Sequence, residues 1–204
     1  MTRTPRIYLA GPDVFLPDPL AAGARKKAIC ARHGLEGVFP MELVALPDGL
    51  GLRDQGLHIG AVMEGAMRDC DGIIVNLTPF HGPSADVGSA YEAGFMRALG
   101  KPVFAYSNDG RDFAERVAGF WSGRVRRRAN GNLEGPDRMQ IETFDLFENL
   151  MIATAVLDQG LPLFVATPPE AEYYTELEAF AEAVAAAAAH LLHGKALPGG
   201  PASS

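Results

Sequence analysis

The chain has 204 residues, and 25 acidic against 18 basic side chains leave a net charge of −7. A free-standing nucleic-acid binder needs a basic field, so that class is disfavoured; with a mean hydropathy of +0.03 and no apolar run near the roughly 20 residues that span a bilayer, a membrane protein is disfavoured too. The length suits one domain, which at this size hides about 70% of the unfolded chain's surface.

The chain opens on Arg6-Ile7-Tyr8-Leu9-Ala10, a buried strand ended by Gly11-Pro12. The residues before it carry no apolar signal core, so the cytoplasm is the expected compartment. Residues 21–33 predict a helix with Gly34 as its C-cap, and residues 37–40 a short strand. Residues 43–56, rich in Gly, Pro and Asp, predict a loop, and residues 59–69 a helix. Residues 72–77 form a β-branched run apolar on both faces, as in a covered parallel strand. A polar loop over 78–88, a helix over 89–99 and a strand over 102–106 follow. Residues 107–142 predict a long irregular insert. Its basic cluster, Arg124, Arg126, Arg127 and Arg128, reads as a solvated loop or helix end. A helix over 144–157, a strand over 161–165 and a long helix over 169–192 complete the pattern. Residues 1–193 are expected to form a single domain and residues 194–204 a frayed tail.

Strands alternating with helices at this spacing imply an α/β fold, a parallel sheet covered on both faces. No GxGxxG or Walker pattern follows the first strand. Cys30 and Cys70 form no CxxC, and the five histidines show no ligand spacing, so neither a disulfide framework nor a metal site organises the chain.

In such a sheet, ligands bind outside the carboxyl ends of the strands. Three segments meet there: Gly11-Pro12-Asp13-Val14-Phe15, residues 78–88 and residues 107–109. Asp86 and Glu92 lie six residues apart, about 600° of helix, so they converge only if Asp86 sits in the loop and Glu92 in the first turns of the helix. Gly88 would allow the bend between them. The plainer reading is that Asp86 or Ser89 caps the helix and Glu92 favours its positive end. Against it, Glu92 stands among Ala90, Tyr91, Ala93 and Gly94, where a carboxylate needs a reason. Two carboxylates in a cleft suit cleavage of a glycosidic bond: one attacks or stabilises the anomeric carbon, the other handles the leaving group's proton, and no metal is needed.

Residues 7–12, Phe15 with Pro17-Asp18, Asp69-Cys70-Asp71, Leu77-Thr78-Pro79-Phe80, the run from Gly82 to Gly94 and the segment from Phe144 to Met151 together resemble the nucleoside 2-deoxyribosyltransferase family. The resemblance implies a doubly wound, flavodoxin-like (Rossmann-like) fold of about five parallel strands and a homo-oligomer built from dimers. It implies exchange of the nucleobase of a 2′-deoxyribonucleoside through a covalent glycosyl-enzyme, with a nucleoside and a free base as partners and no cofactor. Glu92 matches the family's nucleophile, Asp86 the carboxylate that contacts substrate and helps handle the base proton, and Tyr8 the tyrosine that orients the nucleophile. Asn149, with Met151 beside it, matches an asparagine that a neighbouring subunit lends to the sugar. Phe15 walls the base pocket, and Gly11, Asp13 and Gly88 fall in the same substrate-facing segments. Met63 stands where the family often carries Asp or Asn, which displaces a base-facing polar contact; Ser89 replaces a common threonine. Two alternatives stay open: an N-glycoside hydrolase of nucleosides or nucleoside monophosphates, and a non-catalytic nucleotide-binding regulatory module.

Overall fold

The computed structural model describes residues 3–194. Five parallel strands form the main sheet: β1 (Arg6–Ala10), β2 (Glu36–Val38), β3 (Gly72–Asn76), β4 (Val103–Ser107) and β8 (Leu163–Val165), in the order β2-β1-β3-β4-β8. The register sets Tyr8 of β1 between Val38 of β2 and Ile73 of β3. Strands β1, β3 and β4 are almost wholly buried, as expected of a parallel sheet covered on both faces. Helices α1 (Pro19–Arg32) and α6 (Glu178–His193) pack together, while α2 (Leu52–Asp69), α3 (Val87–Ala98) and α5 (Leu150–Leu157) form a second packed set. The fold is doubly wound, α/β and flavodoxin-like. Because β1 is flanked by β2 on one side and β3 on the other, the connections leaving β1 and β3 diverge, and a crevice opens between them.

The insert is more ordered than its sequence suggests. It holds a helix, α4 (Phe113–Phe120), and a three-stranded antiparallel sheet of β5 (Arg126–Arg127), β6 (Leu133–Glu134) and β7 (Gln140–Ile141). Two-residue strands carry no readable alternation. The basic cluster is solvated as expected at Arg124, Arg126 and Arg127, but it runs through β5 rather than a loop, and Arg126 and Arg128 both pair with the buried carboxylate of Glu134. Helix α4 begins with a capping box between Asp112 and Glu115.

Three helix boundaries also differ from expectation. Helix α2 starts at Leu52 rather than 59, within the stretch read as loop. Helix α5 starts at Leu150 rather than 144, because Asp145 has a left-handed backbone (φ 54°) and Asn149 caps the helix by accepting from the Met151 N–H. Helix α6 starts at Glu178, not 169; the Asn108 side-chain amide donates to the carbonyls of Tyr173 and Glu176, which a continuous helix would have used. Of the expected tail, residues 195–204 lie outside the described residues, and Gly194 is the left-handed C-cap of α6.

The turn after β1 is built over a buried ion pair. Lys26 of α1 reaches Asp13 at 2.6 Å and donates to the Tyr106 hydroxyl at 2.7 Å, and both charged side chains are about 3% exposed. The Asn76 amide donates to the same Asp13 oxygen at 3.3 Å. Gly11 lies against this cluster so closely that a Cβ there would stand 2.5 Å from the Asp13 carboxylate and 2.6 Å from Asn76 Cβ. Removing one partner of a buried pair strands the other charge. Lys26→Met is therefore expected to lower the unfolding free energy by about 3–5 kcal/mol in urea titrations; an unchanged midpoint would show that the pair does not hold this turn.

Candidate active site

The crevice between the β1 and β3 connections contains a cavity of about 300 Å³. The turn after β1 supplies Gly11, Val14 and Phe15. The segment after β2 and the inner face of α2 supply Pro40, Met41, Val44, Ile59 and Met63. The start of α3 supplies Asp86, Gly88 and Glu92. The wall is therefore mostly apolar, and its carboxylates converge from one helix end.

That convergence has a local cause. Asp86 is the N-cap of α3, with an extended backbone and a side-chain oxygen that accepts from the Ser89 N–H at 2.9 Å and its hydroxyl at 3.0 Å. Capping and cavity lining are thus the same placement rather than rival readings. Glu92 follows in the second turn and faces the same space. The bend lies at Asp86; Gly88 is inside the helix, where it leaves room for its neighbour, since a Cβ there would sit 3.1 Å from the Asp86 carboxylate.

Tyr8, fully buried in β1, donates its hydroxyl hydrogen bond to Glu92 Oε1 at 2.7 Å, and the Met63 sulfur lies 3.2 Å from the same hydroxyl. Burial pushes the Glu92 carboxyl up to about 7; the Tyr8 hydrogen bond pulls it down, and the charge of Asp86 pushes it further up. Burial and the neighbouring Glu92 also raise the Tyr8 hydroxyl well above its ordinary value, so it stays a donor.

Phe15 is 63% exposed on the rim and stacks on Phe80 of the β3 loop, ring centroids 5.2 Å apart and planes 14° apart. Tyr174 braces this loop from the far side by donating to the Pro79 carbonyl. Asp13 does not line the cavity: its carboxylate is turned into the core toward Lys26 and Asn76. Asn149 and Met151 also lie away from it. Asn149 is half-buried at the start of α5, its amide donating to Glu142 at 2.8 Å, and Met151 is 70% exposed beside a groove that includes Ala90 and Gly94 of α3. Of the wall on the α2 side, sequence reasoning named Met63 and missed Pro40, Met41, Val44 and Ile59, and it missed the buried Lys26. It also missed Glu148, whose position directly before the Asn149 cap and an apolar helix was the available signal. Among the described residues, no cluster of His, Cys, Asp and Glu could hold a metal ion, and no helix is long and apolar enough to cross a membrane.

Residues 7–151 match the family model described as nucleoside 2-deoxyribosyltransferase. An uncharacterized protein of Schizosaccharomyces pombe is 30% identical over 159 residues, which cover 73% of this chain and 75% of that protein. A solved structure of a 2-desoxiribosyltransferase from Leishmania mexicana superposes with a TM-score of 0.56 at 28% identity, over 72% of this chain and 85% of that one.

A carboxyl whose pKa in the fold lies above its unfolded value favours the fold while protonated, and that contribution is lost as pH rises through the folded value. For Glu92 the window runs from the ordinary 4.5 to about 7. Glu92→Gln is accordingly expected to melt about 5–10 °C above the parent at pH 8 and with it at pH 4, as followed by calorimetry. Equal melting temperatures at both pH values would contradict the burial of this charge.

Proposed function

The chain belongs to the nucleoside 2-deoxyribosyltransferase family, and from that premise we propose that it exchanges the nucleobase of a 2′-deoxyribonucleoside in the cavity between the Gly11 turn and α3, through a covalent intermediate on Glu92. The observation that carries this reading is the pairing of two carboxylates on one apolar cavity, with Glu92 held by a tyrosine hydroxyl.

In this reading the deoxyribose lies over Glu92 and the base between Phe15 and the α2 side. Ionised Glu92 attacks C1′ as the C1′–N bond breaks through an oxocarbenium-like transition state. The bonding pair leaves with the base, which takes up a proton from a water held at Asp86. A second base then attacks C1′ of the glycosyl ester, gives its proton back along the same route and releases the Glu92 carboxylate. Tyr8 orients the attacking oxygen. Its hydrogen bond to Glu92 also limits how far burial raises the pKa of that carboxyl. Gly11 and Gly88 let backbone and carboxylate approach the ligand closely. Met63 offers a thioether where a polar group would contact the base, so recognition of the base leans on shape and stacking.

Water reaching the glycosyl ester first would give hydrolysis instead, and the apolar wall supports transfer by keeping the site dry. No lysine or arginine lines the cavity among the described residues, which speaks against a monophosphate substrate. The placement of Asn149 and Met151 away from this chain's own cavity supports their assignment to the sugar of a neighbouring copy in a homo-oligomer.

Chromatography of the protein with 2′-deoxyinosine and adenine is expected to yield 2′-deoxyadenosine, and Glu92→Ala to abolish it; release of hypoxanthine alone would identify a hydrolase. The pH profile of kcat/KM should fall on the acid side with a midpoint near 7, the value set for Glu92. Tyr8→Phe removes a stabiliser of the carboxylate and moves that limb to higher pH, whereas Asp86→Asn removes a repelling charge and moves it lower. A limb unmoved by both changes would rule out Glu92 as the titrating group.

A further inference from the structure

The side chain of Glu148, directly before the Asn149 cap, is fully buried. Its Oε2 accepts from the Ala85 N–H at 3.0 Å and from Arg116 at 2.9 Å, and its Oε1 accepts from the Asn149 N–H at 3.0 Å. Arg116 comes from α4 of the insert and also donates to the Phe147 carbonyl. One carboxylate thus fastens the residue that precedes Asp86 to the residue that caps α5.

We propose that Glu148 is a positioning residue for Asp86, and that the first helix of the insert supplies the cation that allows it to be one. This rests on the role given to Asp86 under the proposed function. The chemistry selects a carboxylate. The buried Ala85 N–H and the part-buried Asn149 N–H, from separate segments, need acceptors, and a carboxylate presents two acceptor oxygens where a side-chain amide presents one. An unpaired carboxylate at this depth would take up a proton or unfold its surroundings. Arg116 prevents that. It is itself only 3% exposed, and its Nε has no hydrogen-bond partner, so the guanidinium is held in the interior with its donors incompletely met. That placement is explained by the carboxylate it neutralises. The contacts run without a gap from α4 through Arg116, Glu148 and Ala85 to Asp86, whose side chain then caps α3 at Ser89.

The test is a double-mutant cycle between Asp86→Asn and the charge-balanced pair Glu148→Gln with Arg116→Met, read in two ways. In the ligand-free protein, hydrogen–deuterium exchange of the Ala85 and Asn149 amides should accelerate in the Glu148→Gln, Arg116→Met protein while the amides of β3 and β4 keep their protection. In base exchange, the same protein should lose about a hundredfold in kcat, the usual penalty for a misplaced catalytic group. Adding Asp86→Asn should then cost far less than it does in the parent, because both changes act on one group. A purely structural role would instead give independent losses that multiply, and unchanged exchange at Ala85 would overturn the proposal whatever the substrate. If the double variant does not fold, Glu148→Asp takes its place. It keeps the charge, is one methylene too short to reach Arg116 and both amides together, and should speed Ala85 exchange in the same way. A parent protein that exchanges no base at all would defeat the functional reading while leaving the Ala85 measurement to decide this one.

Discussion

A carboxylate withdrawn from water needs a cation, several hydrogen bonds or a proton, and the way this chain meets that demand sets its site apart from its scaffold. Among the described residues the buried carboxylates of Asp13, Asp109, Glu134 and Glu148 each meet a lysine or arginine. Glu92 receives one tyrosine hydroxyl and faces a second carboxylate. Four carboxylates have a cation beside them; the fifth, its pKa raised to about 7, lines a cavity instead. A perturbed carboxyl facing a cleft is where acid–base or nucleophilic chemistry is expected.

The scaffold makes that asymmetry possible. The ion pair of Lys26 and Asp13 holds the Gly11 turn at the end of β1, and that of Arg116 and Glu148 holds the approach to α3 after β3. These are the two connections that diverge at the crevice. Each is pinned by a charge that does not line the cavity, so the walls stay mostly apolar, and among the described residues the charged side chains lining the cavity are Asp86 and Glu92. Rigidity is bought in the floor rather than in the lining.

Much of this was legible in the chain. The strand at 6–10, the β-branched run at 72–77 and the glycine stops gave the parallel sheet, because covered strands are continuous apolar runs with few other interpretations. For Asp86 and Glu92 the spacing alone favoured a simple helix cap; the small apolar neighbours of Glu92 and the family resemblance pointed to a shared cleft, and the two do line one cavity. What was not legible rests on backbone conformations and distant contacts that the local apolar pattern does not announce. The late start of α5 rests on a left-handed Asp145, and that of α6 on Asn108 taking its carbonyls. The early start of α2 was hidden by Gly51, its N-cap, and by Gly56, which lowers helix propensity without preventing a helix that packs. Asp13 stood in the right segment, but its side chain answers to a lysine 13 residues later, which no local pattern announces.

The insert shows how such non-local ties bear on function. Taken alone, a helix and three two-residue strands between β4 and α5 look like decoration on a sheet that is complete without them. Yet Arg116 is the cation of Glu148, and Glu148 fixes the residue before Asp86. An insertion that carries the counter-ion of a buried carboxylate cannot be trimmed without leaving that charge unpaired beside the site. The same tie gives movement of α4 a direct route to the geometry of Asp86. On the proposed function, the buried pair that ties the insert to the sheet also ties it to the placement of Asp86.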